Sequence, residues 1–230
     1  MKILVVGGGG REHTIIWKLL QNPDVTEIHC APGNGGISDM AVCVPIKATD
    51  IKGLVDYSKE QSFDLVVVAP DDPLYMGLVD ELGKEGIRAF GPTAAGARLE
   101  GSKVYAKYLM KKYGIPTAQY EVFGDYNTAR AYVKTCPLPT VVKADGLALG
   151  KGVIICNTVG EAEAALETIM AKRIFGDAGN RVVIEEFMQG PEVSVLAFCD
   201  GKTILPMASA QDHKRVFDND KGPNTGGMGT

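Results

Sequence analysis

The sequence predicts an α/β protein: an open, parallel, doubly wound N-terminal domain followed by an α+β module. In the first hundred residues, short β-branched apolar runs alternate with stretches of helical periodicity, which is typical of βαβ units. After Pro92 this alternation stops, and short strands suited to antiparallel pairing follow. The last segment, from residue 211, is polar and Gly-rich and shows no pattern of a closing helix or strand, so we expect the second module to be incomplete at its C-terminus.

The N-terminal domain is expected to cover residues 1–100. The run "KILVVG" is continuously apolar and ends in glycine, as in a strand that is buried on both faces. Asp50 is a candidate N-cap, and Pro73 suits the first turn of a helix that Gly86 ends. Strands are predicted at 2–7, 25–31, 64–70 and 87–92, and helices at 11–22, 50–62 and 72–86.

The second module is expected over residues 101–230. Its first helix, at 100–116, is opened by Ser102 and ended by Gly114 and Pro116. An Asp200-Gly201 turn indicates antiparallel strands near the end of the 180–207 segment. The other predicted elements are an extended segment at 118–123, helices at 126–135 and 159–173, and strands at 140–145 and 152–156.

Composition excludes several classes of function. The 230 residues are 45% hydrophobic and 23% charged, with a net charge of −4, so nothing favours a nucleic-acid groove or an anionic membrane surface. The N-terminal apolar run is too short for a signal peptide, and no apolar run approaches the length of a membrane span. Five cysteines at wide spacings, without a CxxC pair, fit reduced and mostly buried thiols in a cytoplasmic protein.

The stretch "VVGGGGREH" at the end of the first strand suggests a phosphate site. A dinucleotide fingerprint requires G-x-G-x-x-G, but the third glycine position falls on Glu12 or His13, depending on the starting glycine. The glycines and the following helix N-terminus still suit a single phosphate, and Arg11 would add an anion contact. A phosphate-bearing small molecule is favoured over a structural turn and over a dinucleotide.

The stretch "VVKADGLALGKGVIIC" resembles a P-loop but departs from it. Gly146 and Gly150 have three residues between them instead of four, and Lys151 is followed by Gly152 instead of a hydroxyl residue. Apolar runs on both sides indicate a β-hairpin loop that could fold over phosphates; the alternative is a plain Gly-rich hairpin. Lys143, in the preceding apolar run, is expected to have an anionic partner unless it lies at an edge or faces solvent.

Three further stretches carry polar groups. "VVIEEFMQGPEVSV" (182–195) could form a purine and ribose pocket at the Gly190-Pro191 bend, or simply a solvated hairpin end. "QDHKR" (211–215) clusters three basic side chains, and the glycines of "GPNTGGMG" (222–229) could form a backbone nest for an anion. The three histidines lie too far apart in sequence to indicate a metal site.

In this order, the motifs resemble the ATP-grasp superfamily, in which two α+β lobes hold ATP between them. Together with "GGGGREH", "LEGSK", "FGDAG" and "QDHKR…GPNTGGMG", they are similar over all 230 residues to the glycinamide ribonucleotide synthetase family. The resemblance implies a Rossmann-like pre-ATP-grasp domain at 1–100, the first part of an ATP-grasp domain at 101–230, and a lid subdomain at about 117–188. It also implies ATP-dependent joining of glycine to 5-phosphoribosylamine through a glycyl phosphate, with ATP and Mg²⁺ (or Mn²⁺) as cofactors.

The resemblance also implies residue roles. ATP contacts would come from two strand- or helix-borne lysines, the glycine loop and the 185–192 segment: Lys103, Lys143, Gly146, Gly150, Lys151, Gly152, Glu185, Glu186, Met188 and Glu192. Phosphoribosylamine would be held by Gly9, Gly10, Arg11, Glu12 and Asp71. Arg11 also belongs to the implied catalytic set, with Asp212, His213, Lys214, Arg215, Asn224, Thr225, Gly226 and Gly227. Metal ligands would lie beyond residue 230, in the remaining half of the family's length.

Two departures from the family pattern matter. The family typically reads "GPEDPL" where this chain has "APDDPL", so Asp71 is one methylene shorter than the usual glutamate. Family members are also about twice as long, so we expect the 230 residues alone to be inactive as a ligase. The alternatives are a nicotinamide-dependent oxidoreductase, which rests on "VVGGGG" alone, and a non-catalytic module that binds nucleotides or phosphosugars.

Overall fold

A computed structural model describes residues 1–148, 152–219, 221–225 and 229. The chain divides into two compact units, each described here by itself. Unit 1 comprises Met1–Thr117 together with Asp145–Leu147, and unit 2 comprises Ala118–Ala144 and Ala148–Thr230. The predicted domain boundary at residue 100 and the predicted lid at about 117–188 stay predictions.

Unit 1 is built on a five-stranded sheet in which every pairing is parallel. The strand order is β3-β2-β1-β4-β5, so the chain reverses its direction of winding beside β1. The strands are β1 (Lys2–Gly7), β2 (Glu27–Pro32), β3 (Val42–Cys43), β4 (Leu65–Val68) and β5 (Ala89–Phe90). The prediction of an open parallel sheet is confirmed.

Helices cover both faces of this sheet, because alternate side chains of β1 point to opposite sides. Leu4 and Val6 belong to a core with Leu54 and Leu82, whereas Ile3 and Val5 belong to a second core with Ile16 and Ile37. The helices of unit 1 are α1 (Gly10–Leu19), α2 (Ile51–Gln61), α3 (Asp71–Tyr75), α4 (Leu78–Lys84), α5 (Ala94–Gly101) and α6 (Lys103–Tyr113), with a 3₁₀ turn at Ile37–Asp39.

The expected helix at 72–86 is wrong as a single element. Gly77 adopts a left-handed conformation (φ +89°) between α3 and α4, so the helix is interrupted there. Helix α5 and the two-residue strand β3 were not predicted. Gly96 and the terminal Gly101 weaken the helical signal of "AAGARLEG", and two residues are too few to show a strand period.

Unit 2 contains a four-stranded antiparallel sheet with the order β6-β9-β7-β8. One face, which includes Val142 and Ile184, packs against two helices in a buried core. The elements are β6 (Tyr120–Phe123), α7 (Tyr126–Val133), β7 (Thr140–Ala144), β8 (Val153–Cys156), α8 (Val159–Leu166), a π-helical turn (Glu167–Ala171), a 3₁₀ turn (Gly176–Asn180) and β9 (Val182–Glu186).

Two antiparallel hairpins follow β9. The first pairs β10 (Ala197–Cys199) with β11 (Ile204–Pro206), and the second pairs β12 (Arg215–Phe217) with β13 (Lys221–Asn224). The predicted turn at Asp200 is confirmed, since its carboxylate accepts hydrogen bonds from the backbone N–H groups of Lys202 (2.9 Å) and Thr203 (2.7 Å).

Candidate functional site

The glycine loop after β1 leads directly into α1, and Glu12 determines its shape. The Glu12 carboxylate is buried (6% exposed) and accepts a hydrogen bond from the Gly9 N–H at 2.5 Å. A Cβ atom on Gly7 would lie 2.6 Å from Glu12 Cγ, so the glutamate side chain fills the space beside the loop. Glu12 therefore caps the helix where a dinucleotide fingerprint would have its third glycine, and the structure does not support the dinucleotide interpretation.

The first glycine loop is also held by the loop after β2. Gly33 donates its N–H to the Gly7 carbonyl at 3.0 Å, and the Asn34 side chain donates to the Gly8 carbonyl at 2.9 Å. These bonds occupy carbonyl groups, whereas the N-terminal N–H groups of α1 have no intrahelical acceptor. Gly10 and Arg11 are exposed at this end of the helix, which is the type of position where proteins bind phosphate.

Asp71 begins α3 and lies at a cavity within unit 1. The cavity has a volume of about 290 Å³ and is lined mostly by apolar side chains, including Leu74, Leu99 and Met110. Glu100 is the second carboxylate among its lining residues. The shorter acid of the "APDDPL" motif is thus exposed and able to contact a ligand.

Lys103 is the first residue of α6, and its ammonium donates a hydrogen bond to the Gly146 carbonyl at 2.9 Å. Ser102, the N-cap, accepts from the Tyr105 N–H at 3.1 Å and donates to an Asp145 oxygen at 3.0 Å. Two predicted ATP-contacting positions, Lys103 and Gly146, therefore meet within unit 1.

Lys143 and Glu185 form an ion pair on neighbouring strands of unit 2. Glu185 lies opposite Val141 in the β7–β9 ladder, so it is the diagonal neighbour of Lys143 on the face away from the helices. The Glu185 side chain is 5% exposed and that of Lys143 is 26% exposed. The prediction of an anionic partner for Lys143 is confirmed, and β7 is an internal strand instead of an edge.

The stretch between β7 and β8, which we call the second glycine loop, was predicted to be a β-hairpin loop, and this prediction is confirmed. β7 and β8 pair antiparallel on its two sides, and the Ala144 N–H donates to the Gly152 carbonyl at 2.8 Å. Gly146 has a φ of +157°, which side-chain-bearing residues rarely adopt. Gly150 and Lys151, both predicted ATP contacts, lie outside the described residues.

The predicted nucleoside segment after β9 is exposed. Glu186 donates its backbone N–H to the Gln119 carbonyl at 3.0 Å, and Met188 is 67% exposed. Glu192 forms an ion pair with Lys214, and this hydrogen bond raises the pKa of Lys214 above its ordinary value. Because both side chains are well exposed, the pair contributes little to stability.

The hairpin β12–β13 brings together the two most specific sequence motifs. Arg215 pairs in register with Asn224, and its guanidinium donates to the Gly222 carbonyl at 2.6 Å. Both the N–H and the hydroxyl of Thr225 donate to the Lys214 carbonyl, at 2.7 and 3.0 Å.

The neighbouring predicted residues extend this arrangement. The His213 N–H donates to the Gly229 carbonyl at 3.0 Å, and an Asp212 carboxylate oxygen lies 3.7 Å from the Lys214 ammonium. Gly226 and Gly227 lie outside the described residues.

Some structural residues at these positions were missed by the sequence reasoning. Asn34 and Asp145 bond to groups 26 and 41 to 43 residues away, so no local pattern marks them. Among the described residues, no group of three His, Cys, Asp or Glu side chains is arranged to hold a metal ion. No helix within the described part of the chain has the length and apolarity needed to cross a bilayer.

Family profiles match the whole chain. The profile described as phosphoribosylglycinamide synthetase, N domain, matches residues 1–100, and the profile of its ATP-grasp (A) domain matches residues 101–230. Phosphoribosylamine–glycine ligase of Halalkalibacterium halodurans is 53% identical over 229 residues, and that of Escherichia coli K12 is 49% identical over 231 residues. Each match covers 100% of this chain and 54% of the relative, so the chain spans about half the length of these curated relatives.

Solved structures agree with this result. The crystal structure of phosphoribosylamine–glycine ligase from Thermotoga maritima has a TM-score of 0.83 at 35% identity, covering 99% of this chain and 54% of that one. Biotin carboxylase from Campylobacter jejuni, solved as a β-γ-ATP complex, has a TM-score of 0.74 at 15% identity, covering 93% and 51%. The second likeness shows the fold alone, and the profile that matches residues 101–230 confirms the predicted ATP-grasp architecture.

Proposed function

Because this chain belongs to the phosphoribosylglycinamide synthetase family, we propose that it forms the N-terminal half of a phosphoribosylamine–glycine ligase. The observation that carries the proposal is that family profiles match all 230 residues, including the paired motifs of β12 and β13. The reaction would join glycine to 5-phosphoribosylamine in purine biosynthesis and convert ATP to ADP and phosphate. The location would be cytoplasmic.

The chemistry proceeds in two steps. A glycine carboxylate oxygen attacks the γ-phosphorus of ATP, ADP leaves, and glycyl phosphate forms. The amine of phosphoribosylamine then attacks the glycyl carbonyl, the C–O bond to phosphate breaks, and glycinamide ribonucleotide and inorganic phosphate are released. Both steps depend on charge neutralisation and alignment instead of a covalent protein nucleophile.

Lys103 and Lys143 are the proposed phosphate contacts. A lysine ammonium has three N–H donors, so the pairing of Lys143 with one carboxylate does not exhaust its capacity. Gly146 and Gly152 would lie along the phosphates, and the exposed segment that contains Glu186, Met188 and Glu192 would receive adenosine. Mg²⁺ is expected to accompany ATP, and we assign its ligands to none of the described residues, which contain no suitable cluster.

The α1 N-terminus, with Gly9, Gly10 and Arg11, is the proposed site for the phosphate of phosphoribosylamine. Glu12 would keep the loop open for that phosphate, since its own carboxylate is engaged by Gly9. Asp71 would contact the same substrate. The β12–β13 hairpin, with Asp212 to Arg215, Asn224 and Thr225, would surround glycine and the acyl phosphate.

The test is ADP formation from ATP with glycine and phosphoribosylamine, each omitted in turn. The 230-residue chain would be assayed alone and together with the remaining C-terminal half of the Halalkalibacterium halodurans relative. We expect turnover only in the mixture, and only when both substrates are present. Turnover that is indifferent to glycine would contradict a ligase.

Calorimetric titrations separate the alternatives. Binding of an ATP analogue and ribose 5-phosphate without any turnover in the mixture would favour a non-catalytic binding module. Tight binding of NADH would favour the oxidoreductase, which the cap formed by Glu12 argues against.

A further inference from the structure

The N-terminus of α6 carries an unfavourable positive charge that no acidic residue in the first turn of the helix offsets. The positive end of the helix dipole lies at Lys103, and the first turn contains no acidic residue. An ammonium group at this position is disfavoured unless a carboxylate is supplied from elsewhere in the chain.

Asp145 supplies that carboxylate. One of its oxygens accepts two hydrogen bonds at the helix start, from the Ser102 hydroxyl at 3.0 Å and from the Val104 N–H at 3.1 Å. Ser102 is 7% exposed, so its hydrogen bond to Asp145 is largely shielded from water. Asp145 thus acts as a second cap, from a position more than 40 residues along the chain.

The same bonds fix the segment that follows Asp145. Gly146 comes next, and its carbonyl accepts the hydrogen bond from the Lys103 ammonium at 2.9 Å. Asp145–Leu147 accordingly belongs to unit 1, although the residues on both sides of it belong to unit 2. Two hydrogen bonds therefore join the helix start to the loop. The Asp145 carboxylate accepts from the helix backbone at Val104, and the Lys103 ammonium donates to the loop backbone at Gly146.

We propose that Asp145 is a positioning residue for ATP phosphate binding, because it holds the start of the second glycine loop on the α6 N-terminus and so fixes the Lys103 ammonium beside Gly146. This inference rests on the proposed function, in which Lys103 and Gly146 both contact the phosphates. Asp145 itself carries the wrong charge to bind them; it acts through Lys103.

The first test is trace acetylation of lysines in the native 230-residue chain, followed by peptide mass spectrometry. Asp145→Asn should raise the acetylation rate of Lys103 about threefold or more relative to Lys84, whereas Asp145→Glu should partly restore the wild-type rate. Asp50→Asn is the control, because the Asp50 carboxylate also accepts a backbone N–H in the first turn of a helix, that of Gly53 in α2 at 2.9 Å, but is local to that helix. An unchanged Lys103 rate in folded Asp145→Asn protein would overturn the proposal.

The second test compares ligands. Asp145→Asn should weaken binding of a non-hydrolysable ATP analogue about tenfold, equivalent to about 1.4 kcal/mol, and leave adenosine binding unchanged, since adenosine has no phosphate for Lys103. Equal losses for both ligands would indicate general damage and overturn the positioning role. If the wild-type chain binds neither ligand, the proposed nucleotide site is wrong. The Lys103 acetylation rate then still tests whether Asp145 holds the Lys103 ammonium beside Gly146.

Discussion

Two buried thiols make a residue-scale prediction about reactivity. Burial raises the pKa of Cys30 to about 12 and that of Cys156 to about 11, so little reactive thiolate forms at neutral pH. Cys199 is exposed on β10 and is the exception to the expectation of mostly buried thiols. Iodoacetamide should therefore label Cys199 first, with Cys30 and Cys156 labelled only after urea is added. Comparable labelling of Cys30 and Cys199 in the native protein, measured by peptide mass spectrometry, would contradict this.

A second residue-scale prediction concerns pH. His29 is buried, and its ring nitrogens lie 2.6 Å from the Tyr57 hydroxyl and 2.5 Å from a Glu27 carboxylate oxygen. The hydrogen bond to His29 lowers the pKa of Glu27 below its ordinary value of 4.5. A carboxyl with a lowered folded-state pKa stabilises the fold above its unfolded-state pKa, and this contribution is lost as the pH falls through the folded-state pKa.

Glu27→Gln should therefore lower the free energy of unfolding at about pH 7, and the difference from wild type should shrink as the pH falls below 4.5 and Glu27 becomes protonated in both states. Urea denaturation at a series of pH values measures it. A difference that stays constant or grows towards acid pH would show that Glu27 acts through its shape and not its charge.

At the scale of elements, the Lys143–Glu185 pair joins the neighbouring strands β7 and β9. Removing one partner of a buried ion pair typically costs about 3 kcal/mol or more, because the remaining charge loses its counter-charge in the pair. Lys143→Met should therefore destabilise unit 2 by about that amount, whereas the double variant Lys143→Met/Glu185→Leu should lose less, because no charge remains buried. Denaturant unfolding of the wild type, Lys143→Met, Glu185→Leu and the double variant gives the coupling energy between the two side chains.

The control for that cycle is Lys52→Met. Lys52 pairs with Asp56 on the surface of α2, with side chains 87% and 59% exposed, so its loss should leave stability unchanged. If both lysine variants behave alike, burial does not determine the strength of the Lys143 pair.

Elements with strong local signals were predicted from sequence, and those shaped by distant contacts were not. The buried strand β1 and the α6 caps, Ser102 and Gly114, follow from apolar runs and cap chemistry. The break at Gly77 was missed because glycine is tolerated within helices, and only its left-handed φ of +89° ends α3 here. At the site, the motifs predicted the residue types but not their partners. Strand register places Glu185 beside Lys143, and Asp145 holds Gly146 beside Lys103.

At the scale of the whole molecule, apolar exposure is concentrated in one part of the chain. Of the 25 large apolar side chains that are exposed among the described residues, 11 lie between residues 187 and 217. Phe198 and Leu205 are cross-strand partners on one face of the β10–β11 hairpin, and Ile204 lies on the other face. Strands that are apolar on both faces normally lie inside a covered sheet.

The isolated chain should therefore bind the dye 8-anilinonaphthalene-1-sulfonate and self-associate as its concentration rises. Phe198→Ser/Leu205→Ser should reduce both signals, measured by fluorescence and by light scattering after size exclusion. Trp17→Ser serves as the control, since Trp17 is also 55% exposed but lies on α1. Equal reductions in both variants would show that the hairpin has no special role.

The three-residue excursion Asp145–Leu147 also limits how this protein can be recombined. In a chimera with residues 118–230 from a distant relative, the segment around Asp145 would come from the relative, whereas Ser102 and Val104, which donate hydrogen bonds to it, would come from this protein. A crossover placed before residue 102 keeps the helix start and the loop from one parent. Exchange of unit 2 between relatives should thus succeed when the α6 N-terminus comes from the same parent, because Ser102 and Val104 then meet their own Asp145.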